Sequence, residues 1–294
     1  MTNLAFIGLG IMGAPMSVHL QNAGYNVTGY DVAAGAGKDL VAAGGALAGS
    51  VAEAVREAAI VAIMVPDSPH VTEVLTGEGG VFANASPGTL VIDFSSIRPD
   101  VSAGLAAQGK ALGLRMIDAP VSGGEPGAVA ATLSIMVGGA EEDVALAGPV
   151  LDAVGGTVVR VGPNGAGQTV KAANQLIVAA NIQALAEAVA FLEAYGVDLD
   201  TAVAVLGGGL AGSAVLNQKA QKMLDREFAP GFKIDLHHKD MGIVTSAARE
   251  AGVVIPLGSL MAQLVAAVRA GGDGGLDHSA LYRGVKRLSG QPVE

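Results

Sequence analysis

The chain has 294 residues, enough for two domains, and a formal net charge of −10. That charge argues against a nucleic-acid partner but not against a small anionic ligand held by one or two local lysines. The absence of cysteine rules out disulfides and thiolate metal sites. With no uninterrupted apolar run of about 18 residues and no signal-like start, no membrane partner is expected and the cytoplasm is the expected compartment.

Aromatic residues make up only 3% of the chain and glycine occupies 43 positions, so close backbone packing is expected rather than a bulky core. Residues 4–8 read as a short buried strand. A glycine-rich turn follows, then a helix to about Asn22. Gly24 stops that helix, and residues 25–30 read as the next strand.

The turn spells Gly8-Leu9-Gly10-Ile11-Met12-Gly13. In this spacing Gly8 permits the tight turn, Gly10 lets the backbone approach a pyrophosphate, and Gly13 lets the helix pack on the strand. The helix N-terminus then offers its N–H groups and positive dipole end to the phosphates. The hexapeptide alone is a weak signal; its place after a strand and before a helix gives it weight. Asp31 ends the second strand, where a carboxylate binds both ribose hydroxyls of NAD and repels the 2′-phosphate of NADP. Val32 offers no guanidinium to offset that repulsion, so NAD is the expected cofactor and NADP is disfavoured. The competing reading makes Asp31 an ordinary turn residue.

Strand-like runs recur at 60–65, 89–94, 114–118, 133–137 and 158–161, which predicts a doubly wound α/β domain. Ligands of such sheets sit beyond the carboxyl ends of the strands. Val65 and Pro66 lie at one such end and Ser96 at another. Ser96 reads either as a hydrogen-bonding partner of the nicotinamide ribose or substrate, or as a helix N-cap. Residues 118–124 run from a strand into Ser122-Gly123-Gly124, a hydroxyl and two unhindered N–H groups able to cradle a carboxylate. A plain loop explains the same residues equally well.

After about Gly162 strand-like runs nearly vanish. The boundary is placed in residues 162–165, giving a dinucleotide-binding domain over 1–163 and an all-helical domain over 164–294. One long helix is predicted over 167–195, followed by helices at 199–207, 213–225, 235–251 and 256–270. Lys171 and Asn174 are three apart on the long helix and share a face. The apolar surroundings of Lys171 suggest burial, which lowers an amine's pKa toward the range useful for acid–base work. A surface lysine on an amphipathic helix is the alternative. Further on, Lys239 and Asp240 are placed to reach the cofactor. The adjacent His237 and His238 point in different directions on a helix and have no companion ligands, so no metal is expected.

Taken together these blocks resemble the β-hydroxyacid dehydrogenases. The likeness rests on the glycine-rich start, on residues 118–124, on the glycine-led segment ending in Lys171 and Asn174, and on Lys239-Asp240, and it covers nearly the whole chain. Within the family, residues 122–126, 208–213 and 230–237 resemble the branch that reduces tartronate semialdehyde to D-glycerate. Imine reductases share the fold but usually lack a lysine at the position of Lys171.

The resemblance implies a Rossmann domain, a helical domain that begins with a long interdomain helix, and a homodimer or homotetramer. It implies that Ser122, Gly123 and Gly124 hold the substrate carboxylate and that Lys171 is the general acid–base. Asn174 would hydrogen-bond the substrate, and Lys239 would contact cofactor or substrate. The partner is then a small anionic semialdehyde or hydroxyacid. A 3-hydroxyisobutyrate dehydrogenase is the near alternative, and a non-catalytic dinucleotide-binding module the remote one.

Overall fold

Apolar runs at Leu4–Ile7, Ile60–Ile63 and Leu90–Ile92 are buried on both faces, as the central strands of a parallel sheet require. The computed structural model describes residues 1–293 and divides into two compact units, one ending at Lys171 and the other beginning at Ala172.

The first unit holds a nine-stranded sheet: β1 (Asn3–Ile7), β2 (Asn26–Tyr30), β3 (Ala46–Leu47), β4 (Ile60–Ile63), β5 (Leu90–Asp93), β6 (Arg115–Asp118), β7 (Val121–Ser122), β8 (Leu133–Gly138) and β9 (Gly155–Gly162). Its order begins β3-β2-β1-β4-β5-β6, all parallel, so their carboxyl ends share one edge. The chain reverses direction across the sheet between β1 and β4, the switch point at which such sheets bind ligands. Beyond β6 the pattern changes. β8 runs antiparallel to β6 and β7, while β9 runs parallel to β8.

Successive side chains of β1 enter different cores. Leu4 and Phe6 join the cluster with Leu20 and Ile92, whereas Ala5 and Ile7 join the one with Val61 and Val71.

The second unit is helical. It contains the long helix Ala166–Ala194 from Ala172 onward, then helices Leu199–Gly207, Ala214–Leu224, Ile234–Glu250, Pro256–Val268 and Leu281–Leu288. Asp198 and Ser213 cap two of them by accepting the N–H of Thr201 and Leu216. The last helix is absent from the sequence expectations, although Leu281, Tyr282, Val285 and Leu288 recur along it at helical spacing. Tertiary bonds hold it: Glu193 accepts from both the Tyr282 hydroxyl and the Lys286 ammonium.

The long helix has the length and mean hydropathy (1.6) of a membrane span, contrary to the expectation from unbroken apolar runs. Lys171, Asn174, Gln175, Asn181 and Gln183 interrupt it. Ala179, Ile182, Ala186 and Val189 on its buried side form the core of the helical unit.

That core also encloses a charged cluster. Lys219 donates to both oxygens of Asp277 at 3.1 Å, and His278 Nδ1 lies 3.2 Å from His237 Nδ1. Burial, reinforced by His237 and Lys219, holds the His278 imidazole well below its usual pKa. The folded protein therefore resists a proton that the unfolded chain accepts, and stability falls as pH drops below the unfolded value of about 6.5. We expect the urea midpoint to decline between about pH 7.5 and 5.5, and to decline less in His278→Gln. An equal decline in both proteins contradicts this assignment.

Candidate functional site

The turn after β1 is built by its glycines. Gly8 has φ +96°, and a Cβ there would lie 2.1 Å from the Met64 carbonyl oxygen. A Cβ on Gly13 would lie 1.9 Å from the Gly8 oxygen, so only glycine lets the helix Gly13–Asn22 start this close to the strand. Gly10 differs: a Cβ there meets nothing within 4 Å, and no side chain caps the helix N-terminus behind it. Open space before an uncapped helix start fits a pyrophosphate. Leu9 is buried, whereas Ile11 is half exposed.

Asp31 directly follows β2. Its Oδ2 accepts the Leu9 N–H and its Oδ1 the Ala33 N–H, both at 2.7 Å. The carboxylate thus holds the glycine turn and its own turn, and each oxygen keeps a further lone pair for a ribose hydroxyl. Val32 beside it is 90% exposed.

Two further strand ends are tied together. Val65 N–H donates to Ser95 Oγ at 3.0 Å, linking the segment of Val65 and Pro66 to the loop after β5. Ser96 lies in that loop and does not cap the next helix, Pro99–Ala111, whose N-cap is Arg98. Gln168, from the first turn of the long helix, grips the backbone on either side of Ser96.

The start of the long helix is fixed to β6 by Asp118, 1% exposed. Its Oδ1 accepts the Gly165 N–H at 2.7 Å and its Oδ2 the Gln168 N–H at 3.0 Å. Burial raises the pKa of this carboxyl, and the backbone N–H groups oppose that shift. Gly167 belongs to the same contact, for a Cβ there would lie 2.3 Å from the Met136 oxygen. The next turn carries Lys171, 7% exposed, in the first unit. Ser122 ends β7, and Gly123 and Gly124 follow with φ +138° and +63°, opening the short helix Gly124–Val129.

Within the second unit the structure links Asn174 to Lys239. Asn174 Nδ2 donates to Gln175 Oε1 at 2.8 Å, and Gln175 Nε2 donates to Asp240 Oδ2 at 2.5 Å. Asp240 Oδ1 pairs with Lys239 Nζ at 2.8 Å. His237 points instead into the charged cluster with His278. No group of three or more potential metal ligands occurs among the described residues.

Sequence reasoning did not assign roles to Asp118, Ser95, Gln168 or Gln175. Only the Gln168 and Gln175 amides, set among small apolar residues, offered a signal. The partners these two amides find in other segments lie 65 to 73 residues away in the chain.

Known proteins are similar to this chain along most of its length. Residues 3–162 match the family described as the NAD binding domain of 6-phosphogluconate dehydrogenase, and residues 165–285 the one described as NAD-binding of NADP-dependent 3-hydroxyisobutyrate dehydrogenase. A 2-hydroxy-3-oxopropionate reductase from Escherichia coli K12 is 41% identical, covering 97% of this chain and 98% of its own. An NAD-dependent L-serine dehydrogenase from Pseudomonas aeruginosa is 38% identical over 90% and 91%. The solved structure of 3-hydroxyisobutyrate dehydrogenase from Mycobacterium tuberculosis with L-serine superposes with a TM-score of 0.88 at 36% identity, covering 97% and 99%.

The glycine geometry separates two substitutions. Gly10→Ala should fold normally, with Tm within about 2 °C of wild type, and bind NADH at least about tenfold more weakly by calorimetry. Gly13→Ala should lower Tm as well, because its Cβ has no room. Unchanged NADH affinity in Gly10→Ala would remove this turn from the cofactor site.

Proposed function

Because this chain belongs to the β-hydroxyacid dehydrogenases, NAD-dependent oxidoreductases acting on CH–OH groups, we propose that it reduces tartronate semialdehyde to D-glycerate with NADH. The observation that carries the proposal is Lys171, a buried lysine on a helix whose start is pinned to β6. The substrate is favoured by the likeness to the 2-hydroxy-3-oxopropionate reductase along 97% of the chain.

In this reading residues 1–163 carry the cofactor, and residues 164–294 contribute to substrate choice and self-association. The glycine turn from Gly8 to Gly13 takes the pyrophosphate, and Asp31 takes the ribose hydroxyls and disfavours NADP. Val65, Pro66 and Ser96 line the nicotinamide end, with Lys239 as a further contact. Ser122 and the N–H groups of Gly123 and Gly124 hold the substrate carboxylate, and Asn174 hydrogen-bonds the substrate.

The chemistry the cofactor supplies when bound is a hydride for the aldehyde carbon. Lys171, as the ammonium, donates a proton to the aldehyde oxygen and meets the negative charge developing there. The neutral amine then regains its proton from solvent. In the reverse direction the neutral amine takes the hydroxyl proton.

The reading places the enzyme in the cytoplasm as a homodimer or homotetramer. The exposed, adjacent rings of Phe191 and Tyr195 on the helical unit support self-association.

A second reading, 3-hydroxyisobutyrate as substrate, is favoured by the match of residues 165–285 and by the structure solved with L-serine. Tartronate semialdehyde and methylmalonate semialdehyde, the aldehyde formed by oxidising 3-hydroxyisobutyrate, differ in a hydroxyl against a methyl, which a polar pocket distinguishes. The test follows cofactor absorbance with tartronate semialdehyde and methylmalonate semialdehyde, each with NADH and NADPH. We expect the highest kcat/KM with NADH and tartronate semialdehyde. Activity confined to the methyl-bearing aldehyde moves the substrate, and no activity with either contradicts the proposal.

A further inference from the structure

Gln168 is 1% exposed and lies three residues before Lys171. Its side-chain amide pairs with the main chain on both sides of one residue. Nε2 donates to the Ser95 carbonyl at 2.7 Å, and Oε1 accepts the Ile97 N–H at 3.0 Å. The enclosed residue is Ser96. The Gln168 backbone N–H is held by Asp118 Oδ2, and Ser95 Oγ holds the Val65 N–H. Gln168 therefore joins the ends of β5 and β6 to the turn that precedes Lys171, and Ser95 ties in the segment after β4.

Few side chains can make this connection. It needs a donor and an acceptor on one planar group, at the reach of two methylenes. Asparagine is one methylene short. Glutamate, when ionised, turns an acceptor toward the Ser95 carbonyl. An apolar side chain leaves a buried carbonyl and N–H unsatisfied.

We infer that Gln168 is a positioning residue, which holds the Ser96 hydroxyl at a fixed place relative to the Lys171 ammonium. The inference rests on the proposed roles of Ser96 and Lys171. Gln168 itself touches neither cofactor nor substrate. A purely structural latch would add stability and nothing more; a positioning latch also sets the rate, because small misplacements of reacting groups are costly.

The experiment uses full-length Gln168→Met and Gln168→Glu. Without cofactor, hydrogen exchange at the Ile97 amide is expected to accelerate by about tenfold or more in Gln168→Met as its acceptor is lost. With NADH and the best aldehyde substrate, kcat should fall roughly 10- to 100-fold, while NADH affinity by calorimetry stays within about threefold. Gln168→Glu adds a readout that a structural role would not move. Its kcat relative to wild type should rise as pH falls from about 8 toward 5.5, since the protonated carboxyl regains an O–H donor for the Ser95 carbonyl. This variant also carries the test if Gln168→Met does not fold.

Wild-type kcat and a wild-type pH profile in folded variants, with only Tm lowered, overturn the inference. Unchanged exchange at Ile97 overturns the latch itself. Failure of the wild-type chain to reduce any aldehyde sinks the underlying reading instead, so the two failures are distinguishable.

Discussion

The carboxylate of Asp118 accepts the backbone N–H groups of Gly165 and Gln168, and those two bonds set where the long helix begins and where Lys171 stands. Taking a carboxylate out of water costs several kcal/mol. Charge-assisted hydrogen bonds return roughly 1.5–3 kcal/mol each, and the positive end of a helix adds to them. Burial still prevails in the direction of the pKa, which lies above the ordinary carboxylate value. The fit also requires small neighbours. A Cβ on Gly138 or Gly167 would come within 2.7 Å of the Asp118 oxygens. The carboxylate and its glycines form one constraint, so replacing any of them shifts the helix that carries Lys171.

The same logic extends across the edge of the sheet in the first unit. Backbone groups at the strand ends are bound by side chains from other segments: Asp31 binds the glycine turn, Ser95 binds Val65, and Gln168 binds the residues flanking Ser96. A loop held at its main chain presents its side chains at fixed places, which is how a binding edge gains precision without large hydrophobic groups. In the second unit side chains are bound to one another instead: Gln175 and Asp240 link Asn174 to Lys239.

Much of this was legible in the sequence. The central strands announced themselves because both faces are buried and apolar. The glycine turn was legible because its spacing falls between a strand and a helix, with steric demands met at Gly8 and Gly13. The long helix was legible because Val170, Leu176, Ile177, Ala180, Leu185 and Leu192 recur at helical spacing, although its buried side is formed by Ala179, Ile182, Ala186 and Val189. The two-residue strands β3 and β7 were not, since pairing rather than local pattern creates them. The bonds made by Asp118, Gln168 and Gln175 escaped for a related reason. Each joins residues far apart in the chain, and a buried amide or carboxylate does not name its partner.

The most direct test of the account is the steady-state and binding behaviour of Lys171→Ala. If this lysine is the proton donor, kcat falls by at least about 10²-fold, while NADH affinity by calorimetry stays within about twofold of wild type. A folded Lys171→Ala protein that keeps most of its turnover would contradict the account and leave the buried lysine a structural element of its helix.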